Sequence, residues 1–193
     1  MLTLLGVQTT EDEEAHRALE LEQLLIQTGE GDREAFAGLY SLTRGAVYAL
    51  ALSLLHNAQE AQDTAQDTFV KVWESAPSYR PRGSPMAWLL TIARNLALSR
   101  LRRSGRQVDL DDEEWEAIPA AVPGVSLEDR QVLQEALARL SGEERRIVLL
   151  HAVTGLKHRE IAQLLELPLS TVLSKYHRGL KKLKSLMKGE KQP

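Results

Sequence analysis

Apolar residues recur along most of this chain at steps of three and four, the period of a helix with one buried face. No stretch shows the strict alternation that a half-buried strand requires. Leu21, Leu24 and Leu25 predict a short amphipathic helix that ends at the glycines at 29 and 31. Asp32 is placed to cap a second helix with Phe36, Leu39 and Tyr40 facing inward, and Val47, Leu50, Ala51, Leu54 and Leu55 mark a third. Asn57 followed by Glu60 reads as the start of a fourth, in which Ala65, Phe69, Val72 and Trp73 share a face. Ser84-Pro85 is a strong start signal: a hydroxyl to accept from the first turn, then proline where its missing N–H costs nothing. From there Met86, Leu89, Leu90, Ala93, Leu96, Ala97 and Leu101 hold helical spacing to about Arg103.

The pattern then stops. Gln107 to Ser126 carries two prolines, a glycine and little periodicity, as a linker does. Beyond it, Leu127 to Leu140 predicts a helix with Val132, Leu133, Ala136, Leu137 and Leu140 apolar. Ser141-Gly142-Glu143-Glu144 has the form of a capping box opening another, with Ile147, Val148, Leu150 and Ala152 inside it. Ile161, Leu164 and Leu165 mark a short helix that Pro168 cannot continue. Ser170 then offers a capping hydroxyl to a last helix from Thr171 to about Met187, with Val172, Tyr176, Leu180 (or Gly179) and Leu183 as its apolar stripe. The resulting architecture is all-α, with two small helical domains joined by an acidic flexible linker. Its divisions are an acidic N-terminal extension at 1–18, a first domain at 19–104, the linker at 105–126 and a second domain at 127–193.

Composition narrows the chemistry. With 43% hydrophobic residues the chain can build real cores. Cysteine is absent, which excludes disulfides and thiolate sites and suits a reducing cytoplasm. No apolar run approaches the roughly 20 residues a membrane span needs, and the acidic N-terminus resembles neither a secretory signal nor a transit peptide. A cytoplasmic protein without membrane insertion is expected. The histidines at 16, 56, 151, 158 and 177 show no metal-ligand spacing, and no glycine-rich phosphate loop or nucleophile elbow is present. No catalytic residue, metal or cofactor is expected.

The net charge of −3 hides a segregation. Residues 1–31 sum to −6, 32–105 to +3, 106–126 to −5 and 127–193 to +5. Local sign governs contact with phosphate more than the total does. The helix, tight turn and second helix at 155–184 have the layout that sets a recognition helix into the DNA major groove. Lys175, Arg178, Lys181, Lys182 and Lys184 lie off its apolar stripe. Between Trp73 and Ser84, a loop with Tyr79, Arg80 and Arg82 suits capture of an unstacked base on an aromatic or guanidinium plane. Asp63, Gln66, Asp67 and Lys71 occupy adjacent positions on one helix face, which spacing alone would make an ordinary solvated surface.

Two separated motifs give these features a common meaning. The run Asp63-Thr64-Ala65-Gln66-Asp67-Thr68-Phe69-Val70-Lys71-Val72-Trp73, followed by Ala87-Trp88-Leu89-Leu90-Thr91-Ile92-Ala93-Arg94-Asn95-Leu96-Ala97, resembles region 2 of bacterial sigma factors of the extracytoplasmic-function group. Glu160-Ile161-Ala162 through Ser170-Thr171-Val172 to Ser174-Lys175-Tyr176-His177-Arg178 resembles the region 4 helix-turn-helix of the same family. The resemblance implies a protein that binds core RNA polymerase, recognises a promoter and begins strand opening. It implies that Asp63, Gln66, Asp67 and Lys71 dock on a coiled coil of the largest polymerase subunit, with a second contact to the flap. It assigns Tyr79, Arg80, Arg82, Ser84, Arg94, Asn95 and Arg100 to the single-stranded −10 element. Ser170, Thr171, Leu173, Ser174, Lys175, His177, Arg178, Lys181 and Lys182 fall to the duplex −35 element.

This sequence departs from the family where Leu173 stands in place of a common Lys or Arg, and Lys175 in place of a common Arg. Leu173 can at most touch a thymine methyl, and Lys175 lacks the bidentate fork of Arg. The linker, with Trp115 among its acids, is either a solvated tether or a segment threading the polymerase RNA channel. The family commonly has an anti-sigma factor that clamps both domains. The runner-up reading is a stand-alone helix-turn-helix regulator whose first domain senses a ligand or dimerises.

Overall fold

The computed structural model describes residues 11–105 and 135–187, and the regular elements among them are helical. The expected linker, Trp115 and the residues Leu127, Val132 and Leu133 lie outside the described residues. The first domain contains α1 (Glu11–Gly29), α2 (Arg33–Leu55), α3 (Ala58–Ser75), a 3-10 turn (Ala76–Ser78) and α4 (Pro85–Arg103). The helix α1 begins inside the stretch expected to be an extension, and buries Leu21 and Leu25.

Where the periodicity predicts two helices after Asp32, the structure has one, α2. Leu39, Thr43, Ala46, Val47, Leu50 and Leu54 stay in phase along a single buried stripe. Gly45 is the only weak position between the two expected halves, and a glycine in a helix costs about 1 kcal/mol, less than the burial of a single leucine contributes. The Asp32 carboxylate accepts from the N–H groups of Glu34 (2.8 Å) and Ala35 (3.1 Å), as expected of a cap. By length and composition α2 could cross a membrane, but half of it is buried against α1, α3 and α4, and it is the central core helix.

The predicted starts of α3 and α4 are present. Asn57 Oδ1 accepts from Glu60 N at 2.9 Å, and Ser84 Oγ from Ala87 N at 3.2 Å. Around α2 the enclosed residues include Leu25, Leu39, Val47, Leu89 and Leu90. Phe36 packs edge-on against Trp73 (5.2 Å) and Phe69 (6.4 Å). Tyr40 touches Phe69 yet stays 40% exposed, so it sits at the rim rather than inside.

The second domain follows as a helical segment at 135–138 (α5), then α6 (Gly142–Thr154), α7 (His158–Leu165) and α8 (Leu169–Met187). The capping box is complete: Glu144 N donates to Ser141 Oγ and Ser141 N to Glu144 Oε2, at 3.3 and 3.2 Å. Arg145 is buried, and its guanidinium donates to the carbonyls of Leu137 (2.8 Å), Ala138 (3.2 Å) and Leu140 (3.0 Å), closing the end of α5. The expected role of Ser170 as a cap is not realised. The Pro168 carbonyl accepts from Thr171 N (3.0 Å) and Val172 N (3.1 Å), so α8 begins at Leu169 and Ser170 lies exposed in its first turn. Proline just outside the helix needs no donor there. Gly179 rather than Leu180 holds the stripe position: a Cβ there would lie 3.0 Å from Val148 Cγ2, so α6 and α8 cross at the glycine. The two domains touch, with α6 against α2 and α7 against α4.

Candidate functional site

On α3, Gln66, Asp67, Val70, Lys71 and Glu74 are exposed on one side, with Asp63 partly covered beside them. Lys71 Nζ pairs with Glu74 Oε2 at 3.0 Å, and Gln59 Nε2 donates to Asp63 Oδ1 at 3.1 Å. Val70, absent from the expected set, is 61% exposed in the middle of this polar face. The signal in the sequence was a β-branched apolar residue one turn beyond Gln66, off the buried stripe. An apolar side chain ringed by polar ones is the arrangement found at the centre of protein interfaces. Arg100, from α4, reaches this face: its guanidinium lies 2.6 Å from Asp67 Oδ2 and 3.7 Å from Asp63 Oδ2. Two residues expected to meet protein and one expected to meet DNA thus form a single ionic cluster.

The loop between α3 and α4 corrects one expectation. Tyr79 is only 8% exposed, its ring edge-on to Trp88 at 5.2 Å, so it is not free to stack on a base. Burial, then the nearby Glu22 carboxylate, hold its phenol above the ordinary value of 10.0. The physical reason is that an aromatic ring gains more by filling the gap against Trp88 than by standing in water. Arg80 and Arg82 are exposed, and Arg80 Nη1 donates to the Tyr79 carbonyl at 2.8 Å. The Ser84 hydroxyl is engaged as the α4 cap. On α4, Asn95 is exposed, whereas the Arg94 side chain is only 13% exposed and pairs with Glu166 Oε1 at 2.9 Å.

A cleft of about 200 Å³ lies between the end of α1 and this loop, lined by residues including Ile26, Gly29, Pro77 and Arg80. A Cβ at Gly29 would stand 2.7 Å from the Ala76 carbonyl oxygen. The sequence marks Gly29 only as a helix stop; tertiary contact makes it the residue that lets α1 seat the base of the loop.

On α8, Ser170, Ser174, His177, Arg178, Lys181 and Lys184 are exposed, at steps of three and four along one side. Lys175 and Lys182 diverge from the expected DNA set. Lys175 pairs with Glu143, and Lys182 Nζ lies 2.7 Å from Glu144 Oε2, so both turn toward the start of α6. Arg178 Nε lies 3.8 Å from Glu144 Oε1 while its side chain remains open to solvent. Leu173 and Thr171 are partly covered. Burial pushes the Glu144 carboxyl up, but the Lys182 hydrogen bond, the Ser141 N–H and the charges of Lys182 and Arg178 outweigh it, and the net shift is downward.

Beside the exposed stripe of α8, His151 stacks on His158 at 4.6 Å, and Tyr176 meets both rings edge-on at 5.0 and 4.4 Å. His151 Nδ1 lies 2.8 Å from the Leu156 carbonyl, whereas His158 Nε2 is buried without a hydrogen-bond partner. Burial, then the neighbouring His151 and His177, lower the His158 pKa.

The profile of Sigma-70 region 2 matches residues 39–107, and that of Sigma-70 region 4 matches residues 130–183. The chain belongs to the extracytoplasmic-function (ECF) group of sigma-70 factors. It is 32% identical over 176 residues to the ECF RNA polymerase sigma factor SigK of Mycobacterium sp. (strain KMS), covering 87% of this chain and 91% of that one. With SigW of Bacillus subtilis (strain 168) it shares 28% identity, covering 87% and 97% of the two chains. Among solved structures, the sigma factor RpoE in complex with the anti-sigma factor NepR, from Bartonella quintana, aligns with a TM-score of 0.58 at 30% identity, over 81% of this chain and 98% of that one. CnrH in complex with the cytosolic domain of CnrY aligns at 0.57 and 25%, over 89% and 99%.

The sigma factor therefore acts in transcription initiation. The matched segments coincide with the two elements built above, the α3–α4 unit and the helix-turn-helix. A region 2 match across most of the first domain sets aside the reading of that domain as a ligand sensor.

Proposed function

We propose that the exposed face of α3 is the polymerase-docking surface of this sigma factor, with the flap as a second polymerase contact. The loop residues Arg80 and Arg82, with Asn95 and Arg100 on α4, meet the single-stranded −10 element. The stripe Ser170, Ser174, His177, Arg178 and Lys181 meets the −35 duplex. Action on polymerase and promoter places the protein in the cytoplasm. The observation that carries the docking assignment is Val70, an apolar side chain left open at the centre of a polar helix face. The neighbour solved with an anti-sigma factor supports a partner of that kind for this chain too.

The division of the α8 cations carries the DNA half of the reading. Outward residues near the start of a recognition helix reach base edges, and cations further along hold phosphates. Arg178 and Lys181 are outward; Lys175 and Lys182 serve the fold, where they neutralise the acidic start of α6. The Leu173 and Lys175 departures from the family thus fall on positions that are partly covered.

The deciding test is retention of sigma-free core RNA polymerase by the purified protein, with Gln66→Ala plus Val70→Asp alongside. The ion pairs of the Arg100 cluster run to Asp63 and Asp67, so the double variant probes docking while keeping the charges that link α3 to α4. Loss of retention in a folded variant is the expected result. Wild-type retention would remove the α3 face from the polymerase interface.

A further inference from the structure

The N-terminal end of α8 offers a base little charge. From Leu169 to Ser174 the side chains are neutral, and Lys175, the first cation of the helix, pairs with Glu143. Ser170 and Ser174 are exposed, but a hydroxyl serves as donor or acceptor and discriminates weakly between bases. The Ser174 hydroxyl also donates to the Thr171 carbonyl at 3.0 Å, which leaves it only an acceptor toward DNA. Two leucines remain at this end.

Leu169 is 37% exposed and Leu173 partly so, and neither belongs to a hydrophobic core among the described residues. Val172, beside them in sequence, is fully enclosed. At about 100° per residue, Leu169 and Leu173 lie one turn apart on a single flank of α8. Ser170 and His177 border that flank on the outward side. Thr171, Lys175 and Lys182 take the opposite flank, where Glu143 and Glu144 meet the two lysines. One exposed leucine is ordinary on any surface. Two in register at the start of a recognition helix make an apolar edge at the point where side chains reach base edges.

In the major groove thymine alone presents a hydrocarbon group, its 5-methyl; the other bases present N–H groups and lone pairs. A leucine laid against a guanine or adenine edge strips water from it and returns no hydrogen bond. Against thymine it buries alkyl on methyl.

We propose that Leu169 and Leu173 are specificity-determining residues that read thymine 5-methyl groups in the −35 duplex. The proposal rests on the reading of α8 as the −35 surface. A cation at 173 would favour guanine through its O6 and N7, and leucine inverts that choice. Arg178 and Lys181 hold the backbone and carry no preference of this kind, so the leucines select the sequence. Burying one methyl strengthens binding about four-fold.

The test uses holoenzyme assembled from the full-length protein and sigma-free core polymerase, selecting among promoters randomised across the −35 region. The wild type should enrich thymine there. Each enriched thymine is then replaced by deoxyuridine, which keeps every hydrogen-bonding group and lacks only the methyl. In competition binding the wild type should lose about four-fold per methyl removed. Leu169→Ala combined with Leu173→Ala should lose less than about two-fold on the same replacement, because the partner of the methyl is gone. An unchanged second-domain melting transition in that variant excludes unfolding as the cause. Leu173→Arg should enrich guanine in place of a thymine. Equal binding of thymine and uracil duplexes by the wild type overturns the methyl reading and leaves −35 binding in place. The same uracil penalty in the alanine variant overturns it too. Failure to enrich any −35 sequence removes the α8 surface itself, and the proposal with it.

Discussion

The two domains handle buried polar groups in opposite ways. Among its described residues the first buries no charged side chain; its buried polar groups are Thr28, Thr43, Thr64 and Thr68 and the Tyr79 hydroxyl. Three of the threonines donate to the carbonyl one turn back, as Thr43 does to Leu39 at 2.6 Å. The second buries Glu144, Arg145 and Arg146. A domain with three helices around a long apolar α2 has enough enclosed hydrocarbon to need no internal charge. A smaller one encloses a lower fraction of its surface and recruits charge-assisted hydrogen bonds to close its ends. The lesson is that one sigma factor holds its first domain by packing and its second by a polar network.

The sharpest way to break this contrast is core truncation. Leu50→Ala in α2 removes a buried side chain and should destabilise the first domain by about 3 kcal/mol, read by chemical denaturation. Close behind comes Arg145→Met, which keeps apolar bulk but leaves the carbonyls of Leu137, Ala138 and Leu140 without that donor. A loss of about 2 kcal/mol confined to the second domain is expected. If Arg145→Met were neutral, the polar network would be incidental to the stability of that domain.

A functional version follows from Gly29. Gly29→Ala forces the Ala76 backbone away and should lower −10 strand opening about ten-fold at unchanged polymerase retention, seen by footprinting. Opening at the wild-type level would mean that the loop does not depend on α1 for its position.

The smallest effect concerns protons. His158 is held neutral by burial and by His151 and His177, so its folded pKa lies below the unfolded value of 6.5. The unfolded state then binds more protons, and the second domain should lose stability as pH falls below about 6.5. Glu144 acts lower: its folded pKa is depressed, so its contribution is present above 4.5 and fades as pH drops through the folded value. Melting curves at pH 7.5 and 5.5 should show the second-domain transition moving down and the first nearly still. His158→Gln should remove most of that movement.

Much of the fold was legible because its signals are local. The hydroxyls of Ser84 and Ser141, the side chains of Asp32 and Asn57, and the stripe in α4 act within one or two helical turns, and the structure has all of them. The misreadings fall where a choice between near-equal local options was made elsewhere in the chain. Two helices became one because packing on α1, α3 and α4 rewards an unbroken α2. Ser170 lost the cap to the Pro168 carbonyl, and Tyr79 left the loop surface for Trp88.

What the sequence determined by itself is therefore the helical class, the order of the elements and the family-bearing motifs at 63–73, 87–97 and 160–178. These depend on period, caps and residue type, which are one-dimensional properties. Only the tertiary structure decided which cations face outward, since Lys175, Arg178, Lys181 and Lys182 share one helix and differ in what lies opposite them. It alone joined Arg100 to Asp63 and Asp67, seated the loop on Gly29, and brought Glu166 to Arg94. Each of these pairings spans residues far apart in sequence, and their encounter is set by how the helices pack rather than by local spacing.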